Sequence, residues 1–202
     1  MTADDVATFE RCIAAGGVAL FPADTVYGLA TDPDSREGVE RLYRLKGRPA
    51  TRPAAVMFFQ LQLALGTLVE LGPRTRDALA RVLPGAVTLL VPNPGRRFPL
   101  ACGSRSDVLG IRVPALEGTL EPLAEASWPV LQSSANRSGG ADARQLSDVP
   151  ESIRSEVDLR LDAGELPGTP SSVVDLTRYE EDGEFQVVRA GAVAADRLAA
   201  VL

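Results

Sequence analysis

Apolar and polar residues recur along this chain with two different periods, one helical and one typical of strands. Val6, Phe9 and Ile13 are spaced as one apolar face of a helix. Asp4 or Asp5 is expected to cap that helix. The same reasoning predicts further helices over residues 35–46, 60–70, 74–83, 116–126, 147–157 and 194–202, and strands over residues 18–21, 54–59, 87–91, 108–113, 130–132, 171–176 and 185–189.

The alternation of predicted strands and helices places the chain in the α/β class, with a twisted, mixed sheet and flanking helices. The chain has 202 residues, of which 45% are hydrophobic, so it can bury a full core as a single domain over residues 1–202. Residues 92–106, rich in proline, glycine and arginine, are expected to form a loop. Trp128 and the pair Phe58 and Phe59 are expected to lie in the core.

The composition excludes several kinds of chemistry. The chain contains no histidine, so it cannot build a Ser-His-Asp triad or an HExxH zinc site. No protein-only metal site is expected, and any metal would be a hard ion such as Mg²⁺ carried by a phosphate substrate. Cys12 and Cys102 are too far apart for a metal-ligand motif. With an acidic N-terminus and no apolar run long enough for a membrane span, the expected location is the cytoplasm.

The segment around Lys46 breaks the charge pattern of the chain. The net charge is -6, yet residues 36–52 carry six basic residues against two acidic ones, and Lys46 is the one lysine among 21 basic residues. Gly47 and Pro49 break the predicted helix, so Lys46 and Arg48 are expected at its C-terminal end, on the loop that leaves it. A basic island in an acidic protein favours one small anionic ligand over a long polyanion. The alternative is a solvated helix end whose cations complement the helix dipole.

Four short segments carry polar groups where a packed core would not need them. Because ligands of open α/β folds gather at strand ends, these segments are candidates for one shared cleft. Structural roles are the alternative for most of them. Tyr27 could be an aromatic residue at the rim of the core, and Arg112 could be the outward-facing residue of a strand. Ser134 and Asn136 could simply form a turn. Asp24 is expected to serve as a turn or cap residue. The four segments are residues 25–27, 46–48, 110–112 and 134–136.

Read together, these motifs resemble those of the YrdC/TsaC family along nearly the whole chain. The matching motifs are, in order along the chain, PADTVYGLA, KGRPATRP, PGAVTLL, GIRVP, SSANRSGG, SSVVDL and VVRAG. Members that resemble the chain this closely are L-threonylcarbamoyladenylate synthases, which make the first intermediate of the t6A modification of tRNA. The family fold is a compact α/β domain with a twisted sheet around a positively charged cavity, and the length matches the short, single-domain form.

The resemblance implies that L-threonine, bicarbonate and ATP are the substrates and that a tRNA-modifying transferase acts downstream. It assigns catalytic roles to Lys46, Arg48, Ser134 and Asn136. Positioning and cationic stabilisation of a phosphoryl group are what this chemistry needs from side chains, and a histidine-free site can supply both. The implied threonine contacts are Thr25, Tyr27, Arg112, Ser134 and Ser171, and the implied ATP contacts are Lys46, Arg48, Arg52, Asn136, Arg144 and Arg189.

The chain departs from the family pattern at five positions. Ala23 replaces a hydroxyl residue, Met57 stands about where many members have a histidine near the threonine pocket, and Arg144 stands where a small hydroxyl residue often contacts ATP. Ser172 and Ala190 replace a threonine and a proline. These departures leave a second interpretation open, a non-catalytic RNA-binding or ribosome-associated relative that contacts tRNA or double-stranded RNA. A Ser-Lys hydrolase using Ser134 and Lys46 has no support from any SxxK spacing.

Overall fold

Nine strands form one sheet in the computed structural model, which describes all residues from 1 to 202. The strands are β1 (Ala19–Pro22), β2 (Tyr27–Thr31), β3 (Ala55–Met57), β4 (Val87–Pro92), β5 (Val108–Arg112), β6 (Val130–Ser134), β7 (Leu159–Arg160), β8 (Ser172–Asp175) and β9 (Gln186–Arg189). Their order across the sheet is β7-β1-β2-β6-β3-β5-β4-β8-β9. Three neighbouring pairs, β1 with β7, β3 with β5 and β4 with β8, are parallel and the others antiparallel, so the predicted mixed sheet is confirmed.

Seven α-helices flank the sheet, which confirms the α/β class. They are α1 (Ala3–Ala14), α2 (Arg36–Lys46), α3 (Leu61–Thr67), α4 (Pro73–Val82), α5 (Glu151–Arg154), α6 (Tyr179–Asp182) and α7 (Ala195–Val201), and two 3-10 helices span Gly118–Glu125 and Leu146–Asp148.

The two faces of the sheet are covered unequally. Because side chains alternate along a strand, Val56 and Ile111 point to one face and Met57 to the other. The first face packs under α2, α3, α4, α5 and α7 in a core of 36 buried residues. The second face packs against α1 and the helix Gly118–Glu125 in a core of 13. The smaller core covers only part of its face, which leaves the middle of the sheet open on that side.

Several helix boundaries differ from the sequence-based prediction. Thr2, not Asp4 or Asp5, caps α1, and Asp5 completes a capping box with it. Where a helix was expected over residues 116–126, Gly118–Glu125 form a 3-10 helix with Pro122 inside it, because proline cannot donate the hydrogen bond that an α-helix requires there. Residues 147–157 were expected to form one helix, but Pro150 separates a 3-10 turn from the short α5.

The prediction missed β2, β7 and α6. Strand β2 is buried along its whole length, so it lacks the alternation that marks a half-exposed strand. Strand β7 has only two residues and α6 only four. Trp128 is 46% exposed, so its expected place in the core was wrong, whereas Phe58 and Phe59 are buried as expected.

Candidate active site

A cavity of about 340 Å³ lies over the uncovered part of the sheet. Its floor is built from positions that the strand register aligns: Ala55 of β3 pairs with Gly110 of β5 on one side and with Gln132 of β6 on the other. Ala55 and Gly110 contribute almost no side-chain volume, so space remains above them. A volume of this size suits a small-molecule ligand.

Charged groups surround this floor. Four arginines line the cavity, against a single carboxylate from Asp142. Guanidinium groups are suited to binding phosphate and carboxylate oxygens, because they present several donors in one plane. The sequence analysis assigned Arg48, Arg112 and Arg189 to the site, and Arg105 is the fourth arginine.

Lys46 is the last residue of α2, not a loop residue as expected, and it is buried behind the cavity wall. Gly47 follows it in the left-handed conformation and ends the helix. The Lys46 ammonium donates to the backbone oxygens of Ser134 and Asn136, the latter at 2.9 Å, and to Asn136 Oδ1 at 3.0 Å. Burial, and secondarily the nearby Arg48 charge, lower the pKa of Lys46 to about 8. All three of its donors therefore hold the turn that follows β6.

That turn forms a closed network of hydrogen bonds. Ser134 Oγ donates to Asn136 Oδ1 at 2.7 Å, and Asn136 Nδ2 donates to the Gly140 carbonyl oxygen at 2.6 Å. The Ser138 N–H also donates to the Lys46 carbonyl oxygen at 2.8 Å. Ser134 lines the cavity, whereas Lys46 and Asn136 support it from behind. The structure therefore brings three of the four proposed catalytic residues into one network and places the fourth, Arg48, on the cavity wall.

Arg112 forms a buried ion pair with Asp24 at the other end of the cavity. The Arg112 guanidinium also donates to Thr25 Oγ1 at 2.6 Å, and Asp24 Oδ2 accepts from the Ala115 N–H at 3.0 Å. Burial raises the pKa of Asp24, and the charge of Arg112 opposes that rise. Arg112 Nε is buried and has no partner within the protein. Asp24 is therefore the partner that holds Arg112, a role beyond the turn or cap expected for it.

Ser171 and Arg189 form the third part of the wall. Arg189 donates to the Ser171 carbonyl oxygen at 2.7 Å, and the Ser171 hydroxyl lies 2.9 Å from that of Thr88. The strand register sets Arg112, Thr88, Val173 and Arg189 side by side on four adjacent strands. Ser171 and Arg189 therefore share one end of the cavity with Arg112.

Six of the sequence-predicted site residues lie outside the cavity lining: Lys46, Asn136 and Thr25 lie behind it, and Tyr27, Arg144 and Arg52 have other partners or positions. The hydroxyl of Tyr27 donates to Asp162 or the Gly164 carbonyl oxygen, at 2.7 and 2.8 Å, so it fastens the loop after β7. Arg144 pairs with Glu165 at 2.9 Å on the surface. Arg52 is exposed in the turn after α2.

Sequence reasoning missed several polar or charged lining residues, among them Arg105, Gln132, Thr88 and Asp142. Gln132, a polar residue at the end of the predicted strand over residues 130–132, was a signal that could have found one of them. Met57, one of the departures from the family pattern, is packed in the smaller core and does not line the cavity.

The segment 92–106 is held in place at several points. Asn93 Nδ2 donates to the Arg97 and Ser106 carbonyl oxygens at 3.0 and 3.1 Å, and Arg97 pairs with Glu70 at 2.6 Å. The Ala54 N–H donates to the Ala101 carbonyl oxygen at 2.9 Å. The expected loop is therefore a wall of the cavity, and it contributes Arg105 and Cys102 to the lining.

No three Cys, Asp or Glu side chains come together in a metal-binding group. Asp142 is the one carboxylate in the lining, so a magnesium ion entering the cavity would depend mainly on oxygens of its ligand. None of the helices has both the length and the apolar character needed to cross a membrane.

The fold and the cavity define an α/β protein with an arginine-lined, small-molecule cleft on one face of a mixed sheet. The family model for Sua5, YciO and YrdC, described as "Telomere recombination", matches residues 11–191. The chain therefore belongs to the Sua5/YciO/YrdC family, as its motifs indicated.

Individual relatives support this family assignment. A protein of Hahella chejuensis named threonylcarbamoyl-AMP synthase is 33% identical over 162 residues, covering 79% of this chain and 87% of the relative. A doubly substituted variant of Pyrococcus abyssi Sua5 superimposes with a TM-score of 0.86 at 27% identity, over 100% of this chain and 61% of that one. The same archaeal protein has been crystallised with L-threonine. Escherichia coli YciO shares the fold, with a TM-score of 0.80 at 23% identity over 98% of this chain and 94% of that one.

Proposed function

We propose that this protein is a threonylcarbamoyl-AMP synthase, which makes threonylcarbamoyl-AMP and pyrophosphate from L-threonine, bicarbonate and ATP. The observation that carries the proposal is a cavity lined by four arginines in a chain 33% identical to a protein of that name. The chemistry is a nucleotidyl transfer. The RNA-binding alternative has no comparable observation in its favour.

The reaction needs no histidine and no side-chain nucleophile. Threonine and bicarbonate combine with loss of water to give N-carboxy-threonine. Its carboxylate oxygen attacks the α-phosphorus of ATP, a P–O bond forms, and the bond to the bridging oxygen breaks to release pyrophosphate. The protein contributes positioning and positive charge that stabilises the developing charge on the leaving group.

The two ends of the cavity suggest where each substrate binds. Arg48 and Arg105 lie at the end closed by the Ser134 turn, and we assign them to the triphosphate. Lys46 then acts by holding the Ser134–Asn136 turn against the phosphates, and it can contact a phosphate itself only by giving up one of its three hydrogen bonds. Magnesium would arrive with ATP.

The opposite end suits the amino acid. Arg112 and Ser171 line the cavity there, close to Arg189, and Thr25 accepts a hydrogen bond from Arg112 behind the lining. Arg112 lines the cavity at this end, so a ligand carboxylate could accept a hydrogen bond from its guanidinium. We assign no direct substrate contact to Tyr27, Arg52 or Arg144, because their side chains lie away from the cavity lining.

A labelled-substrate experiment tests the proposal. The protein is incubated with ATP, L-threonine and carbon-labelled bicarbonate, and the products are separated and identified by mass. The expected result is label in a product that contains both AMP and threonine. Label that never enters a nucleotide, with protein shown to be folded, would refute the proposal. Adding a tRNA-modifying transferase and tRNA would then test whether the product passes downstream.

A further inference from the structure

Gln132 lies in the middle of the cavity floor, and its side chain makes no hydrogen bond within the protein. The residue is only 7% exposed, yet it lines the cavity. Both polar atoms of the Gln132 amide retain some accessible surface, so a ligand in the cavity can reach the carboxamide. A carboxamide carries two N–H donors and one acceptor oxygen. Because the amide faces the cavity and no protein group binds it, its hydrogen-bonding capacity is available to a ligand that fills the cavity.

The register places Gln132 between the two ends of the cavity. Ser134, two residues along β6, belongs to the end assigned to phosphate, and Val130, two residues in the other direction, lies at the level of Met57 and Arg112. At about 3.3 Å per residue, Gln132 lies roughly 6.6 Å from each level. Its neighbour across the floor, Ala55, offers no polar side-chain group.

Gly28 makes room for this amide. A Cβ at Gly28 would lie 3.4 Å from Gln132 Nε2, 3.2 Å from the Phe21 ring and 3.3 Å from the Ser133 carbonyl oxygen. Gly28 pairs with Ser134 in the sheet. With no side chain at Gly28, both the Phe21 ring and the Gln132 carboxamide can lie close to this part of β2.

We infer that Gln132 is a substrate-contacting residue whose amide N–H donates to the carboxylate of the N-carboxy amino acid at the point where it meets the α-phosphate. The inference rests on the proposed function, because that function requires the two substrates to meet between the ends of the cavity. A neutral amide suits this position. It orients a carboxylate nucleophile through a weaker interaction than a guanidinium would make, so the carboxylate oxygen keeps more of its reactivity.

The test compares Gln132→Leu, Gln132→Glu and the control Gln62→Leu, which changes an exposed residue of α3 on the opposite face of the sheet. Pyrophosphate release is measured against bicarbonate concentration, and ATP and L-threonine binding are measured by calorimetry. Gln132→Leu is expected to lower kcat/KM for bicarbonate about 10- to 100-fold, with ATP and L-threonine affinities changed less than about twofold. Gln132→Glu is nearly the same size and should lose more, because it sets a negative charge against the carboxylate.

Three results would overturn the inference. The first is a folded Gln132→Leu variant with unchanged bicarbonate dependence. The second is an equal loss of ATP affinity, which would make Gln132 a nucleotide contact. The third applies if Gln132→Leu fails to fold. The Gln132→Glu variant is then the test, and wild-type kinetics in that variant would overturn the inference. These outcomes differ from failure of the proposed function, in which the wild-type protein itself would release no pyrophosphate with threonine.

Discussion

Two buried cations, Lys46 and Arg112, are held by the protein in different ways. Lys46 has only neutral oxygens as partners, whereas Arg112 has the carboxylate of Asp24. A buried charge is costly unless it is paired and hydrogen-bonded, so removing a partner affects the two residues differently. Each residue therefore has its own test.

Asp24→Asn removes the charge partner of Arg112 without changing the side-chain volume. The pair is almost fully buried, with 3% and 6% side-chain exposure, so the free energy of unfolding should fall by about 3 kcal/mol. Chemical denaturation measures this. The matched control is Glu184→Gln, which breaks an ion pair with Arg178 whose side chains are 73% and 68% exposed, and it should cost less than about 1 kcal/mol. Equal effects in the two variants would contradict the assignment.

The pH dependence of activity tests whether the protonated Lys46 ammonium holds the Ser134–Asn136 turn. Burial lowers its pKa to about 8, so the ammonium loses its proton as the pH rises through that value, and with it one of its donors to the turn. We expect kcat/KM for ATP to decline above pH about 8 in a profile run from about pH 6.5 to about pH 9.5. Lys46→Arg, whose guanidinium stays protonated, should show no such decline. A wild-type profile that stays flat to the upper limit would count against this role.

Among the structural elements, the floor strands β3, β5 and β6 decide how much space the cavity has. A Cβ at Gly110 would meet Ala55 and Leu90 at 3.5 Å, which is ordinary contact, so a side chain there would project into the cavity without forcing the backbone apart. A larger residue at Gly110 can therefore reduce the cavity volume without lowering the stability of the sheet.

Gly110→Leu should abolish ATP binding while leaving the melting temperature within a few degrees of the wild type, because it fills the cavity and leaves both cores intact. Calorimetric titration with ATP and a thermal melt measure the two effects. Gly66→Leu on α3 is the control, since nothing lies within 4 Å of a Cβ there, and it should retain ATP binding. Normal ATP affinity in Gly110→Leu would show that the ligand binds elsewhere.

The sequence predicted the elements best where one local pattern determines them. The apolar runs of β4 and β5 and the helical spacing of Val6, Phe9 and Ile13 in α1 were all visible, and the structure contains them. Elements stabilised mainly by distant partners were not visible. Strand β7 exists because its two residues pair with β1, some 140 positions earlier in the chain. No local signal marks such a strand.

At the scale of the whole molecule, the cavity results from unequal covering of the two sheet faces. Sequence motifs identified Arg48, Arg112, Ser134, Ser171 and Arg189, all of which line it. They could not show that the floor is Ala55 beside Gly110, because that contact depends on the register of strands far apart in sequence. Nor could they show that the Tyr27 hydroxyl binds Asp162, 135 residues away, instead of facing a ligand.

Pyrophosphate release from ATP in the presence of bicarbonate tests the proposed synthase most directly. It is measured with L-threonine, with L-serine in its place, and with no amino acid. We predict release that depends on L-threonine and on bicarbonate, and that is much slower with L-serine or with no amino acid. Folded protein that releases no pyrophosphate with any amino acid, or that releases it equally without one, would contradict the assignment of this cavity to threonylcarbamoyl-AMP synthesis.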